Sequence, residues 1–343
     1  MTSESWSWFG KVCVVTGGTG FIGSHLCAAL YDLGARVLNV DIERPHSGTL
    51  FSILNEGREI PVISADLAEP ESIGRVVECE PEVMFHLAAN PYAPFTTNHP
   101  SEAYRSNVVT TANMLEAARR ARTERFILAS SACFFGATTA SPLREDSKLS
   151  FAEHYYTHTK RQAEDQVRSY TDFYALPATI CRFVNVYGPG DRHFGRIVPA
   201  ICKQLVMDEA PTVRLARGTG ESIFEFLYVE DAVSGLVAAG ARQPQEREIF
   251  HFAPGAEARV SVSELVQRLC VLYDGRVREI LMNCANPEKV VRKYLDSSET
   301  RSVLGWAPDW SLDGGLTRTL GWYRENLRRL TPCEYPNAFP SLR

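Results

Sequence analysis

The sequence predicts an α/β protein, a doubly wound parallel sheet that carries a smaller α+β lobe in its C-terminal part. Three observations predict it. Through the first half of the chain, short β-branched runs alternate with segments of helical periodicity, as in βαβ units that cover both faces of a parallel sheet with helices. The first of these runs feeds a glycine-rich turn and then an amphipathic helix. Beyond residue 185 the alternation gives way to loops, isolated strands and further helices.

Taken in order, Lys11–Thr16 is a β-branched run that ends at glycines, and Phe21–Leu33 has apolar residues at helical spacing with Gly34 as a stop. Strands are expected at Arg36–Val40, Ile60–Ser64, Glu82–Leu87 and Arg125–Ala129. Ser101–Arg120 reads as one uninterrupted helix. Tyr155–Phe173 reads as another, followed by a strand at Ala178–Phe183. Val186–Phe194 is rich in Gly and Pro and reads as a loop. A helix at Gly195–Leu205, strands at Glu225–Val229 and Glu248–Phe252, and helices at Ser261–Leu272 and Asp313–Leu327 complete the pattern. The expected division is a nucleotide-binding domain of residues 1–185 plus about 231–252, and a second lobe of 186–230 and 253–343.

Composition narrows the function. The chain has 45% hydrophobic and 22% charged residues and a net charge of −5, ordinary globular values that exclude a disordered or fibrous chain and a strongly basic nucleic-acid binder. Nine Cys are scattered with no C-x-x-C pair, which argues against a structural metal site and a disulfide framework. Met1–Gly10 has no basic stretch followed by an apolar one. The apolar run Ala232–Ala241 is about half a membrane span. The expectation is a cytoplasmic protein with no metal, membrane or nucleic-acid partner. Of 36 cationic residues only six are Lys, so a motif that requires Lys is hard to satisfy by accident.

Gly17, Gly20 and Gly23 stand at G-x-x-G-x-x-G spacing between the first strand and the first helix. That arrangement fits a dinucleotide. Gly17 makes the tight turn, Gly20 lets the backbone approach a pyrophosphate at the helix N-terminus, and Gly23 lets helix and strand pack. The second strand ends at Asp41, where a carboxylate can bond a ribose diol and repel a 2′-phosphate. The cofactor expected is NAD.

Tyr156 and Lys160 are spaced i, i+4, on one face of a helix. An ammonium beside a phenol favours the phenolate, so the Tyr can move protons near neutral pH. The composition leads to only ~0.2 such pairs by chance. Upstream, the fifth strand ends in Ser130-Ser131, at the carboxyl end of a strand, where doubly wound folds open the crevice that binds ligands.

Together these residues resemble the extended short-chain dehydrogenase/reductase family, specifically its NAD-dependent nucleotide-sugar epimerases and dehydratases, over roughly residues 10–330. The motifs are T-G-G-T-G-F-I-G at 16–23, A-D-L at 65–67, H-L-A-A at 86–89, S-N-V-x-x-T-x-N at 106–113, Y-x-x-x-K at 156–160, R-F-x-N-V-Y-G-P-G at 182–190, Y-V-E-D at 228–231 and L-G-W-x-P at 304–308. The resemblance implies a Rossmann fold, a nucleoside-diphosphate-sugar substrate and a role in carbohydrate biosynthesis. It makes Tyr156 the base and Lys160 its partner on the nicotinamide ribose, with Ser131 orienting the sugar 4-hydroxyl. Phe21 and Ile22 would line the cofactor beside the glycines, Asp66 and Leu67 would border the adenine, and Ala88 the diphosphate. Asn107 would support the active-site helix and Asn185 the sugar nucleotide. The helices at Ser101–Arg120 and Tyr155–Phe173 are similar to the pair that forms a four-helix homodimer interface.

Two departures shape the expected activity. Dehydratases of the family carry an acid–base pair after the Ser, where this chain has Ala132 and Cys133. The S-S-A-C segment looks instead like that of GDP-mannose 3,5-epimerases, in which the Cys moves a proton, so Cys133 joins the catalytic candidates. An Arg that commonly clamps the diphosphate is replaced by Phe224, which leaves Arg192, Arg196, Arg214 and Arg217 as candidates. The expectation is an epimerase (an isomerase) acting through a transient 4-keto sugar. The alternatives are an atypical 4,6-dehydratase or a net dehydrogenase/4-ketoreductase. UDP-glucuronate decarboxylase and a non-catalytic NAD-binding protein rank lower.

Overall fold

The computed structural model describes residues 6–135, 142–147, 154–215, 220–242, 248–284 and 292–331. Its strands are β1 (Val12–Thr16), β2 (Arg36–Asp41), β3 (Val62–Ser64), β4 (Val83–His86), β5 (Arg125–Ser131), β6 (Ala178–Phe183), β7 (Asn185–Tyr187), β8 (Thr212–Leu215), β9 (Ile223–Tyr228), β10 (Glu248–Phe252), β11 (Arg259–Ser261), β12 (Leu281–Cys284) and β13 (Arg292–Lys293). Seven of them form one sheet in the order β10-β6-β5-β4-β1-β2-β3, parallel throughout. This is a Rossmann sheet, and its strand order reverses between β1 and β4. A crevice opens at such a switch point, beyond the carboxyl ends of the strands. Glu248–Phe252, far along the chain, returns to pair with β6 at the sheet edge.

Strand alternation builds two cores. Cys13, Val15, Phe85, Ile127 and Phe183 face one side, against the helices Phe21–Asp32 and Val229–Ala241. Val14, Met84, Phe126, Leu128 and Ile180 face the other, against Thr110–Ala121 and Tyr155–Tyr174. Each fully buried side chain of this size contributes about 1.5–3 kcal/mol, so the sheet is a rigid platform for what stands at its end. The remaining strands form two small sheets. β9 pairs with β7, β11 and β13, and β12 pairs with β8.

The stretch expected as one helix from Ser101 to Arg120 is divided. Pro100–Tyr104 and Thr110–Ala121 are α-helical, and Arg105–Val109 between them is a π-helical turn. The wider turn has a physical reason, since it lets Asn107 reach out of the helix. Asn107 Oδ1 accepts from Asn90 N–H at 2.6 Å, and its Nδ2 donates to Asn90 O at 3.1 Å and to Thr159 Oγ1 at 2.9 Å. Such bulges occur where a side chain carries function. No helix among the described residues is long and apolar enough to cross a membrane.

Candidate active site

The glycine turn is set by close backbone approach. Gly17 has φ +72°, and a Cβ there would lie 2.7 Å from Ala88 N. A Cβ on Gly20 would lie 3.1 Å from Gly17 O, and one on Gly23 only 2.2 Å from the same oxygen. Gly18, which the sequence reading passed over, presses on the buried Asn39 side chain, 2.3 Å from where its Cβ would be. The helix that follows begins at Phe21 with no side-chain cap on its N-terminal amides. Those donors, with the helix dipole, remain available to an anion such as a pyrophosphate.

At the end of β2, Asp41 accepts Thr19 N–H on Oδ2 at 3.0 Å and Glu43 N–H on Oδ1 at 3.1 Å. Burial pushes its carboxyl above the ordinary range, and the hydrogen bonds from Thr19 and Glu43 oppose that. Each oxygen keeps a lone pair for a ribose hydroxyl. Asp66 accepts Ala68 N–H at 3.0 Å and pairs with Arg105 at 2.7 Å, while Leu67 is buried beside it. Ala88 N–H reaches Thr16 Oγ1 at 3.3 Å. Glycine cradle, uncapped helix and acidic ribose end are what an NAD molecule would need.

Tyr156 and Lys160 stand one turn apart on the helix Tyr155–Tyr174. Ser131 lies near enough to Tyr156 to favour its phenolate. Burial raises the Tyr156 phenol above its ordinary pKa, with Cys133 adding to the rise and Arg196 and Ser131 opposing it. Lys160 is 6% exposed and donates to Ala129 O at 2.9 Å. Burial brings its pKa down to about 8, against the pull of Cys133 and Glu164. Cys133 is half-buried and its N–H donates to Ser131 Oγ at 3.2 Å, whereas Ala132 is 4% exposed.

These groups line one cleft of about 840 Å³ together with Gly17, Gly20, Phe21, Ile22, Gly23, Asp41, Asp66, Leu67 and Ala88, a volume suited to a cofactor and part of a second ligand. Asn107 stands behind it, against the active-site helix. Asn185 lines it from β7, its Nδ2 donating to Glu225 O at 3.3 Å. Arg196 lines it and pairs with Asp191 at 2.9 Å, within electrostatic reach of Tyr156. Arg192 lines it too, with its guanidinium bound to the Glu43 carboxylate at 2.6 and 3.1 Å, two residues beyond Asp41. Arg214 is exposed on β8, away from the cleft lining, and Arg217 lies outside the described residues. Glu43, Arg105 and His193 line the cleft without having been singled out. His193 packs on Tyr92 at 4.1 Å between ring centroids, and burial lowers its pKa to about 4, so it is neutral. Among the described residues no group of three or more His, Cys, Asp or Glu could hold a metal ion.

A sequence profile of the NAD-dependent epimerase/dehydratase family matches residues 13–251. The chain belongs to that family. It is an NAD-dependent enzyme of the nucleotide-sugar epimerase/dehydratase type. It is 26% identical to a probable UDP-glucuronate 4-epimerase of Rhizobium meliloti, over 92% of this chain and 98% of that one. It is also 26% identical to the CDP-glucose 4,6-dehydratase of Salmonella typhimurium, over 94% and 92%. Among solved structures, UDP-glucose 4-epimerase of Thermotoga maritima with UDP-glucose superposes with a TM-score of 0.82 at 25% identity, covering 92% of this enzyme and 99% of that chain.

Proposed function

We propose that this enzyme is a nucleoside-diphosphate-sugar epimerase that works through a transient 4-keto sugar with Tyr156 as base. One observation carries the reading. Tyr156 lines the cleft beside Ser131 and has Lys160 one turn away, while the neighbouring acid–base position is an alanine. Bound NAD supplies the hydride acceptor and donor at C4. Tyr156 takes the proton of the 4-hydroxyl, which Ser131 orients, once the Lys160 charge offsets the burial that raises its phenol. Lys160 stabilises the phenolate as an ammonium. Once the ketone has presented its other face, Tyr156 returns the proton to O4, and the product differs from the substrate only in configuration. Eliminating water across C5–C6 requires an acid and a base on the sugar, and Ala132 provides neither.

Cys133 supports a second route to the same class of product. It acts electrostatically on both Tyr156 and Lys160, a position from which a thiol can move a proton at C3 or C5, next to the ketone. Under this route Cys133→Ala and Cys133→Ser should cut turnover by ~10²-fold or more. Full turnover in either variant removes Cys133 from the mechanism.

The ammonium form of Lys160 is the working one, and it is lost as pH rises through about 8. Turnover should therefore fall on the alkaline side from about that pH. A profile flat to pH 10 would contradict the role given to Lys160.

The deciding experiment incubates the enzyme with UDP-, GDP-, CDP- and dTDP-sugars in deuterated water and reads products by mass and NMR. UDP-sugars come first because of the relatives' names. Inversion at C4 without deuterium supports hydride return, and deuterium at C3 or C5 supports the Cys133 route. An oxidised product with accumulating NADH would sink both. A homodimer is part of the proposal. Tyr104, Phe173 and Tyr174 are exposed on the two helices expected to pair, and light scattering should give twice 38.2 kDa.

A further inference from the structure

Behind the Tyr156–Lys160 face lies an ion pair that the proposed mechanism leaves unused. Glu164, one turn beyond Lys160, is 2% exposed, and Arg182 on β6 is 1% exposed. Arg182 Nε and Nη2 donate to the two Glu164 oxygens at 2.9 and 2.7 Å. Ser130 Oγ donates to Glu164 Oε1 at 2.6 Å. Arg168 Nη2 approaches Oε2 from the solvent side at 3.5 Å. On its far side, Arg182 Nη1 reaches Glu145 O and His251 Nε2, both at 3.4 Å. Burial lowers the His251 pKa to about 3, so that ring is neutral.

The placement of these bonds is informative. Three consecutive residues at the end of β5 each face one residue of a single helix. Ala129 O accepts from Lys160 and the Ser130 hydroxyl donates to Glu164, while Ser131 lies near Tyr156 and favours its phenolate. Two of those helix residues belong to the chemistry. The third is a carboxylate whose burial would be costly without the bidentate Arg182.

We propose that Glu164, bound bidentately by Arg182, is a positioning residue for the reaction. It sets the register of the active-site helix on the end of β5 and supplies the buried negative charge that faces Lys160. This rests on the Tyr156–Lys160 chemistry proposed above. Among the described residues, Glu164 of its own helix and Cys133 beyond β5 act on Lys160, Tyr156 stands one turn before it on the same helix, and Lys160 acts on His86 of β4. Burial lowers the His86 pKa to about 3, so it carries no charge there. A negative charge favours the ammonium, and Glu164 raises the Lys160 pKa against the desolvation that lowers it.

The test is Glu164→Gln, which keeps an acceptor for Ser130 and removes the charge. The alkaline limb of the kcat/KM profile should move down by about one pH unit, and Glu164→Asp, which keeps the charge, should leave that limb in place. An unmoved limb in Glu164→Gln overturns the electrostatic role. NMR titration of Lys160 in selectively 15N-lysine-labelled, NAD-loaded protein reads the same shift without turnover. A wild-type enzyme that converts no sugar nucleotide then fails the functional reading alone, while an unmoved Lys160 signal fails this one. If Glu164→Gln does not fold, Ser130→Ala decides, because it leaves the ion pair intact. It should lower kcat by ~10-fold with KM near wild type, and wild-type kcat would overturn the positioning role.

Discussion

Replacing Tyr156 by Phe should lower kcat by ~10³-fold, within the range of about 10² to 10⁴ that a positioned acid–base group contributes. The change deletes one oxygen from a half-buried ring on a helix whose other contacts are untouched, so bound NAD and the melting temperature should stay near wild type. The size of the effect follows from the geometry. The phenol beside Ser131 is the group that would take the proton from the 4-hydroxyl, with Lys160 one turn away to stabilise its anion. His193, the buried imidazole lining the cleft, is held neutral and donor-bonded through Gly195 N–H to its Nδ1 at 3.2 Å. A Tyr156→Phe variant within tenfold of wild type would mean that another group takes the proton.

The second large effect is on stability. Arg182→Ala should destabilise the fold by about 3–5 kcal/mol, the usual consequence of leaving one member of a buried ion pair alone. Glu164 would keep Ser130 as a donor and lose both guanidinium contacts. Joint replacement, Glu164→Gln with Arg182→Met, removes both charges and should fold better than Arg182→Ala. Denaturant melts of the two variants beside wild type check this. If Arg182→Ala stays within 1 kcal/mol of wild type, the pair is not the clamp its geometry suggests.

What could be seen in the sequence is local, and what could not is long-range. The strand, glycine turn and helix at 11–33 announced themselves because the demand for close backbone approach acts within a few residues, and only glycine meets it. Tyr156 and Lys160 were visible for the same reason, since one helical turn brings them together and lysine is scarce in this chain. Ser131 stood out from its place at the end of a strand, and Cys133 only through the family motif.

The buried network was invisible. Ser130 meets Glu164 across 34 residues, and Arg182 meets His251 across 69, so no spacing rule connects them. The same holds for Arg192. As a cation in a Gly/Pro loop it was one of four equal candidates, and only the folded chain shows Glu43, 149 residues away, holding its guanidinium. The π-turn at Arg105–Val109 had no signature in periodicity because tertiary bonds of Asn107, not local propensity, select it. Glu225–Val229 was expected as strand to its last residue. The strand in fact ends at Tyr228, and a helix begins at Val229, with Glu230 and Asp231 in its first turn, where acids favour a helix start.

A 4-keto sugar should form in the cleft with Tyr156 as the base. Quenching steady-state turnover with borodeuteride traps that ketone as an alcohol with deuterium at C4, which mass spectrometry and NMR locate. The account predicts C4 deuterium in the wild-type quench and its loss in Tyr156→Phe. Turnover with no C4 deuterium, or equal label in both proteins, would contradict it.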